Sequence, residues 1–364
     1  MKAVLDRADL LRALSRVRGA VQTSEVPILN NVLVRFDDKV SFTTTDLGLM
    51  ITETIKTKIE STGSAAAPAQ TLYEVARRLP DGAKVLIECD GRQMKVKAGR
   101  YGSTLPVLPE EDFPKLASDQ APRFTVLATD LRRMLDGVLF AASADDPRSY
   151  LRGVYLHSAG NLRAVATNGH QLAQFDLSTE TDFPGVILPR RSVVEIARMC
   201  DEENEVRVSV SSTLLRLNFG STELKTKLID GTFPDYSRVV PLGNDKQVEC
   251  DRKELESAVG RVQAVAEERG YALKFEASDG TLRLSVRDEA FGSAAEEVMG
   301  CEYYEEPVAL GLNSKYLLEV LGRIADDVVV ISVGDDKAPV LIRGKDAVES
   351  LFVVMPMRLA NGTP

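Results

Sequence analysis

The sequence predicts an α+β protein built from three tandem copies of one domain, each with two helices packed on antiparallel sheets. A repeated phrase is the first reason. Tyr73-Glu-Val-Ala-Arg-Arg-Leu79, Val194-Glu-Ile-Ala-Arg-Met199 and Leu318-Glu-Val-Leu-Gly-Arg323 place Glu74, Glu195 and Glu319 at steps of 121 and 124 residues. The runs Asp9-Leu-Leu-Arg12, Asp130-Leu-Arg-Arg133 and Glu254-Leu-Glu256 put Leu10, Leu131 and Leu255 at the same two steps. The third reason is the order strand, helix, strands, helix, strands, which lacks the regular alternation of a parallel α/β sheet. A chain of 364 residues exceeds one ordinary core, whereas units of about 120 residues fall in the usual domain range. Turn formers and charge collect at Leu116-Ala-Ser-Asp-Gln-Ala-Pro122 and Pro241-Leu-Gly-Asn-Asp-Lys246, which sets the copies at 1–121, 122–246 and 247–364.

Each copy opens with a short strand and an amphipathic helix. Apolar residues recur at helical spacing as Leu10, Leu11, Leu14 and Val17, then Leu131, Met134, Leu135 and Val138, then Leu255, Val259, Val262 and Val265 or Ala266. Alternating strands follow at Val32-Leu-Val-Arg-Phe36, Arg163-Ala-Val-Ala-Thr167 and Leu282-Arg-Leu-Ser-Val286. The glutamate-bearing helix comes next, and two helices are expected to cover one face of a sheet in every copy. Hairpins close the copies: Val85 to Glu88 with Met94 to Lys97 around Asp90-Gly91, Val206 to Val210 with Leu215 to Asn218, and Val328 to Val333 with Val340 to Ile342.

Composition excludes several classes. Hydrophobic residues make up 44% and charged residues 27%, the balance of a folded domain protein rather than a disordered chain. No apolar run approaches the roughly 18 residues of a membrane span. The opening Met-Lys-Ala-Val-Leu-Asp-Arg is broken by charge too early for a secretion signal, so the expected location is the cytoplasm. Cys89, Cys200, Cys250 and Cys301 lie far apart, with no Cys-x-x-Cys and only His157 and His170 as histidines. That spacing predicts reduced, mostly buried thiols and neither a zinc site nor a disulfide framework.

Charge is unevenly spread. The predicted helices, 6–19, 69–80, 129–137, 189–200, 250–269 and 313–324, together carry +5, leaving -14 on the rest of a chain whose net charge is -9. Such a partition would turn a polyanion away from one surface and admit it at another.

Catalytic signatures are missing. The chain has no phosphate-binding Gly-x-x-x-x-Gly-Lys, no Gly-x-Gly-x-x-Gly, no His-Glu-x-x-His and no Gly-x-Ser-x-Gly, so no cofactor is expected. His170, in Ala166-Thr-Asn-Gly-His-Gln-Leu172, follows a strand and an Asn-Gly turn, and suits a loop that shapes a surface pocket better than a base without a nucleophile. The pairs Asp145-Asp146, Glu110-Glu111 and Glu296-Glu297 have no motif that would converge them on a metal, so they read as solvated acids. Leu351-Phe-Val-Val-Met-Pro-Met-Arg-Leu359 is either the last core strand or a strand whose end lines an adaptable groove for peptides.

Several of these pieces, in this order and over essentially the whole chain, resemble one family. Val26-Pro-Ile-Leu29, Ala166-Thr-Asn-Gly-His-Gln-Leu-Ala173, Leu188-Pro-Arg-Arg191, Leu228-Ile-Asp-Gly-Thr-Phe-Pro-Asp-Tyr236 and Val353-Val-Met-Pro-Met-Arg-Leu359 are similar to the bacterial sliding clamp, the beta subunit of DNA polymerase III. The resemblance implies the DNA clamp fold: a head-to-tail homodimer whose six domains close a ring around duplex DNA, helices inside and continuous sheets outside. It implies a processivity factor with no catalytic site, metal or cofactor. Its partners would be double-stranded DNA, a second copy, the clamp loader, the replicative polymerase and other proteins with clamp-binding linear motifs, but no membrane.

Site residues follow from the same likeness. Arg12, Arg16, Arg77, Arg78, Arg133, Arg190, Arg191, Arg198 and Arg269 are the candidates for a DNA-facing lining, and Tyr150 matches a position that touches DNA. The dimer contact would join the edge near Tyr101 to Val265, Ala266 and the strand from Glu297, although this chain is shorter than its relatives before Ser103-Thr-Leu105. A peptide pocket between the second and third domains would use Leu151, Thr167, Gly169, His170, Gln171, Leu172, Pro234, Arg238, Val239, Asn313, Tyr316, Val340, Val353, Val354, Met355, Pro356, Met357, Arg358 and Leu359. Gly270 stands where relatives carry a bulky apolar pocket residue, with Tyr271 as the possible substitute, and Ala360-Asn-Gly-Thr-Pro364 extends past the usual end. Two other readings compete: an enzyme acting on nucleic acid or nucleotides through Asp145, Asp146 and His170, and a toroidal or arc-shaped adaptor that binds proteins but never DNA.

Overall fold

The computed structural model describes every residue except 117–122, 203, 266–270, 289–291, 336 and 359–364. Ala266, Arg269, Gly270, Leu359, the segment after Leu359 and most of the first predicted boundary therefore lie outside the described residues. The described helices are α1 (Arg7–Val17), α2 (Ala69–Arg78), α3 (Ala128–Leu139), α4 (Arg190–Met199), α5 (Arg252–Gln263) and α6 (Ser314–Leu321). All six coincide with predicted segments. None is long and apolar enough to cross a membrane.

Local sequence explains these elements. Helix α1 buries Leu10, Ala13, Leu14 and Val17, one stripe at helical period, and α5 buries Leu255, Ala258, Val259 and Val262 in the same way. Caps fix two of the starts. The Asp251 carboxylate accepts the Glu254 N–H at 2.8 Å ahead of α5, and the Asn313 amide oxygen accepts the Lys315 and Tyr316 N–H groups at 3.0 and 3.2 Å ahead of α6. Helix α5 stops at Gln263, short of the predicted 269, because Ala264 closes it with a bond to the Arg261 carbonyl. In the strand Gln93–Ala98, Met94, Val96 and Ala98 face inward while Lys95 and Lys97 face out.

The chain forms two compact units. The first comprises Met1–Arg132 with Arg191–Ile229, and the second comprises Arg133–Arg190 with Asp230–Pro364. In the first, an eight-stranded antiparallel sheet runs in the order Arg123–Leu127, Glu205–Val210, Leu214–Phe219, Thr222–Lys227, Leu49–Ile55, Val40–Thr45, Asn31–Phe36, Gly63–Pro68. A five-stranded sheet accompanies it: Ile59–Ser61, Lys2–Asp6, Lys84–Cys89, Gln93–Ala98, Tyr101–Pro106. The second unit holds an eight-stranded sheet in the order Val186–Pro189, Gly153–Ala159, Asn161–Thr167, Gln171–Glu180, Ser350–Val354, Val340–Gly344, Val328–Val333, Lys246–Asp251. Its four-stranded sheet runs Ser293–Gly300, Thr281–Asp288, Ala272–Ser278, Val308–Asn313.

The large sheets are continuous across copies. Each eight-stranded sheet draws strands from two copies, joined by main-chain pairing of Leu224 with Ile51 in one unit and of Ala173 with Phe352 in the other. The strands on the two sides of each seam are far apart in sequence, so local pattern carries no sign of the pairing.

Side chains reinforce both seams. Arg198 on α4 donates to the Arg16 carbonyl at 2.9 Å at the end of α1 and pairs with Glu195. Arg191 donates to the Gly19 carbonyl at 3.0 Å and pairs with Asp46 at 2.7 Å. In the second unit Glu319 accepts the Gln171 amide at 2.9 Å. Among the described residues Glu74, the third landmark, bonds within its own helix, to Gln70, Arg77 and Arg78. The four cysteines are free thiols, Cys301 partly exposed and the others buried, and burial pushes Cys250 up to about 12.

At the first seam lies a fully buried carboxylate. Glu53 accepts from Ser221 Oγ at 2.7 Å and from Thr222 Oγ1, and Arg16 reaches it at 3.4 Å. Removing one partner of a buried pair strands the other's charge. Glu53→Ala should therefore lower stability by about 3 kcal/mol in urea unfolding, while Glu53→Gln, which keeps an acceptor for the hydroxyls, should cost less than half of that.

Candidate functional site

The second unit brings most of the predicted pocket residues together. Leu172 and Gln171 face Val353 and Val354 across the sheet seam. The Met355 N–H donates to the His170 carbonyl at 2.9 Å, and the Met357 N–H to the Gly311 carbonyl at 2.8 Å. Pro356 has no N–H to continue the ladder, so the chain leaves the sheet there and carries Met355 and Met357 past it. Leu151, Leu172, Val340, Val353 and Val354 are buried. Met357 and Val239 are 37% and 41% exposed, and His170, Pro234 and Arg238 are exposed as well. Of the two valines, Val340 is thus core and Val239 is surface.

Turn chemistry places His170. Gly169 has φ +87, a left-handed conformation that favours glycine, and Asn168 Oδ1 accepts the His170 and Gln171 N–H groups at 2.9 and 3.0 Å. Thr167 Oγ1 donates to the Gln171 carbonyl at 2.7 Å and accepts the Gly169 N–H at 3.1 Å. The His170 ring stacks on Tyr316 with centroids 6.5 Å apart.

A stack that the sequence did not reveal anchors the loop bearing Pro234 and Val239. Phe233 lies parallel to Tyr155 at 4.7 Å, and Tyr155 stacks on His157 at 4.7 Å. His157 Nε2 meets the Tyr236 hydroxyl at 2.9 Å. Burial pushes the His157 pKa below its ordinary value, so the ring is neutral near pH 7. Arg163 braces the cluster through a two-oxygen pairing with Asp176 and a 3.4 Å bond to the Tyr236 hydroxyl. His157 and Tyr236 are 79 residues apart, so no local signal connects them.

The candidate arginines sort into two groups. Arg12, Arg77, Arg78, Arg133 and Arg198 keep side chains 51%, 53%, 78%, 58% and 42% exposed. Arg16 is committed to Glu53 and Thr222, Arg190 donates to the Leu139 and Ala142 carbonyls at the end of α3, and Arg191 joins Gly19 to Asp46. Tyr150 is half-buried beside Gly231. Among the described residues no cluster of three or more His, Cys, Asp or Glu could hold a metal.

Eight strands end the four sheets, and two of them lack the cross-copy partner that their counterparts have. Tyr101–Pro106 pairs only with Gln93–Ala98, and Ser293–Gly300 only with Thr281–Asp288. On these strands Tyr101 is 42% and Val298 50% exposed, and Val265, just after α5, is 37% exposed.

Comparison with known proteins accounts for this arrangement. Family models of the DNA polymerase III beta subunit match in sequence order: the N-terminal domain over residues 1–117, the central domain over 125–235 and the C-terminal domain over 237–358. The beta sliding clamp of Caulobacter vibrioides is 38% identical over 373 residues, covering 99% of this chain and all of the relative. That of Escherichia coli K12 is 32% identical over 367 residues, covering 99% of this chain and 100% of the relative. The solved DNA polymerase III subunit beta of Pseudomonas aeruginosa superposes with a TM-score of 0.96 at 34% identity, over 99% of this chain and 100% of that one. The clamp of Bartonella birtlesii bound to griselimycin does so with a TM-score of 0.94 at 38% identity, with coverage of 99% and 100%. The chain belongs to the DNA polymerase III beta subunit family, the sliding clamps, processivity factors with no catalytic site of their own.

Proposed function

We propose that two copies of this chain close head to tail into a ring around duplex DNA and tether replication proteins through the groove ending at Met357. The observation that carries the reading is how the last strand of each copy pairs. Thr222–Lys227 and Ser350–Val354, the last strands of the second and third copies, both pair with a strand from the preceding copy. Tyr101–Pro106, the last strand of the first, has no such partner among the described residues. Ser293–Gly300 is the edge left over, in the position that Leu49–Ile55 and Gln171–Glu180 hold in their copies. A heterologous contact between these edges closes after two chains if its rotation repeats that of the internal seams. Exposed Lys95 and Lys97 beside one edge complement Glu296 and Glu297 on the other. Tyr101, Val265 and Ala266 belong to this contact, and the segments of the ring are 1–121, 122–246 and 247–364.

DNA would be held by topology rather than by grip. Many tight phosphate contacts would make binding strong and salt-sensitive, which opposes sliding. Arg12, Arg77, Arg78 and Arg133, with Tyr150 and Arg269, form the sparse lining, joined by the exposed part of Arg198, which also braces the end of α1, while Arg16, Arg190 and Arg191 keep structural duties. The clamp loader, the replicative polymerase and other partners would place Leu or Phe anchors of short motifs over His170, Val239, Tyr316 and Met357. Cytoplasmic DNA is the site of action.

Protein loaded by its clamp loader onto nicked circular DNA should stay bound through gel filtration and leave within minutes once the circle is linearised. Equal retention on both forms would mean grip. Val239→Asp with Met357→Asp should weaken a fluorescent Leu/Phe-anchored peptide by about tenfold or more, with retention on the circle unchanged.

A further inference from the structure

Beside the groove, in the same unit, lies a recess of about 570 Å³ bounded by the 142–147 loop, the turn at Asn168 and the first turn of α6. It holds three carboxylates, Asp145, Asp146 and Glu319. Two are partly engaged. Asp146 binds the Arg148 guanidinium through both oxygens at 2.9 Å, which holds its carboxyl down to about 2 and keeps it ionised. Glu319 takes the Gln171 amide on Oε2, leaving Oε1.

Gln171 supplies an independent observation. It is 3% exposed, and its Oε1 has no hydrogen-bond partner. The amide orientation is fixed, because Nε2 faces a carboxylate that can only accept. A buried acceptor without a donor is rare and calls for one from outside the fold.

Apart from Arg148, already held by Asp146, the nearby cations are directed elsewhere. The Lys315 ammonium lies 6.0 Å over the Tyr271 ring, and the Arg323 guanidinium 5.8 Å over the ring of Phe140, a wall of the recess. An anion finds little here, since Asn313 already accepts the first N–H groups of α6. Asp145 and Glu319 Oε1 thus leave negative charge in a recess that the buried acceptor also lines, which suits a charged donor. His170, Gln171 and Tyr316 belong to both the recess and the groove, so an extended peptide in one reaches the other.

We propose that this recess receives the lysine or arginine side chain of a docked peptide, one that flanks its apolar anchors and donates to Gln171 Oε1, Glu319 and Asp145. This rests on the groove reading above. It adds charge selectivity to a surface otherwise read as apolar, favouring partners whose anchor is flanked by a basic residue.

The test uses full-length protein and fluorescein-labelled peptides in anisotropy titrations. A parent peptide with Leu and Phe anchors is compared with versions extended at either end by one arginine or one glutamate. One arginine extension should bind about fivefold tighter than the parent, the matching glutamate extension more weakly, and the gain should shrink as salt rises. Asp145→Asn, which leaves the Gln171–Glu319 bond intact, should cut the arginine gain while leaving the parent's affinity unchanged, and adding Glu319→Gln should abolish the gain. Equal affinity of parent and arginine peptides overturns the proposal, as does a gain that survives both substitutions. Loss of all peptide binding overturns the groove reading itself, and this proposal with it.

Discussion

Unpaired strand edges are the constraint on which this molecule turns. A row of free N–H and C=O groups must be covered, blunted or paired, and a long exposed edge invites another chain. Here the two internal seams satisfy the rule by pairing across copies, Leu224 with Ile51 and Ala173 with Phe352. Three copies in a row generate two such seams and leave one edge at each end. The strands Tyr101–Pro106 and Ser293–Gly300 are those ends. Assembly is therefore a consequence of tandem duplication, not an addition to it.

The landmark glutamates show how one repeated phrase acquires different tasks. Glu195 holds Arg198 in place to cap the carbonyls at the end of α1, and Glu319 receives Gln171. Both act across a seam inside the chain. Glu74, whose bonds among the described residues lie inside its own helix, is the member whose seam would require a second copy. Buried Glu53, with its two hydroxyl donors, fixes the first seam against slippage, since a one-residue shift would turn every side chain to the wrong face.

Much of the fold was legible in the sequence because its signals are local. Leu10, Leu14 and Val17 mark a helix by spacing alone, and alternation of Met94 and Val96 with lysines marks a half-buried strand. The pairing partner of Thr222–Lys227 was not legible, since nothing in that strand names Leu49–Ile55. The same distinction runs through the site. Met355, Pro356 and Met357 announce a strand that leaves its sheet, and Asn168-Gly169 announces the turn that presents His170. The stack of Phe233, Tyr155 and His157 and the bond between Gln171 and Glu319 join distant segments, 148 residues apart in the latter case, and only the fold reveals them. Arginines were found by type, but burial and backbone carbonyls decide which of them face solvent. Arg190 and Arg16 differ from Arg78 in that respect alone.

Edge pairing between copies is the central claim, and the mass of the protein in solution tests it most directly. Light scattering on the purified chain at micromolar concentration should give about twice 39.8 kDa. A Thr104→Pro variant, which removes a strand donor from the open edge, should shift toward the single-chain mass while keeping the native circular dichroism spectrum. A native protein of 39.8 kDa under these conditions would contradict the account.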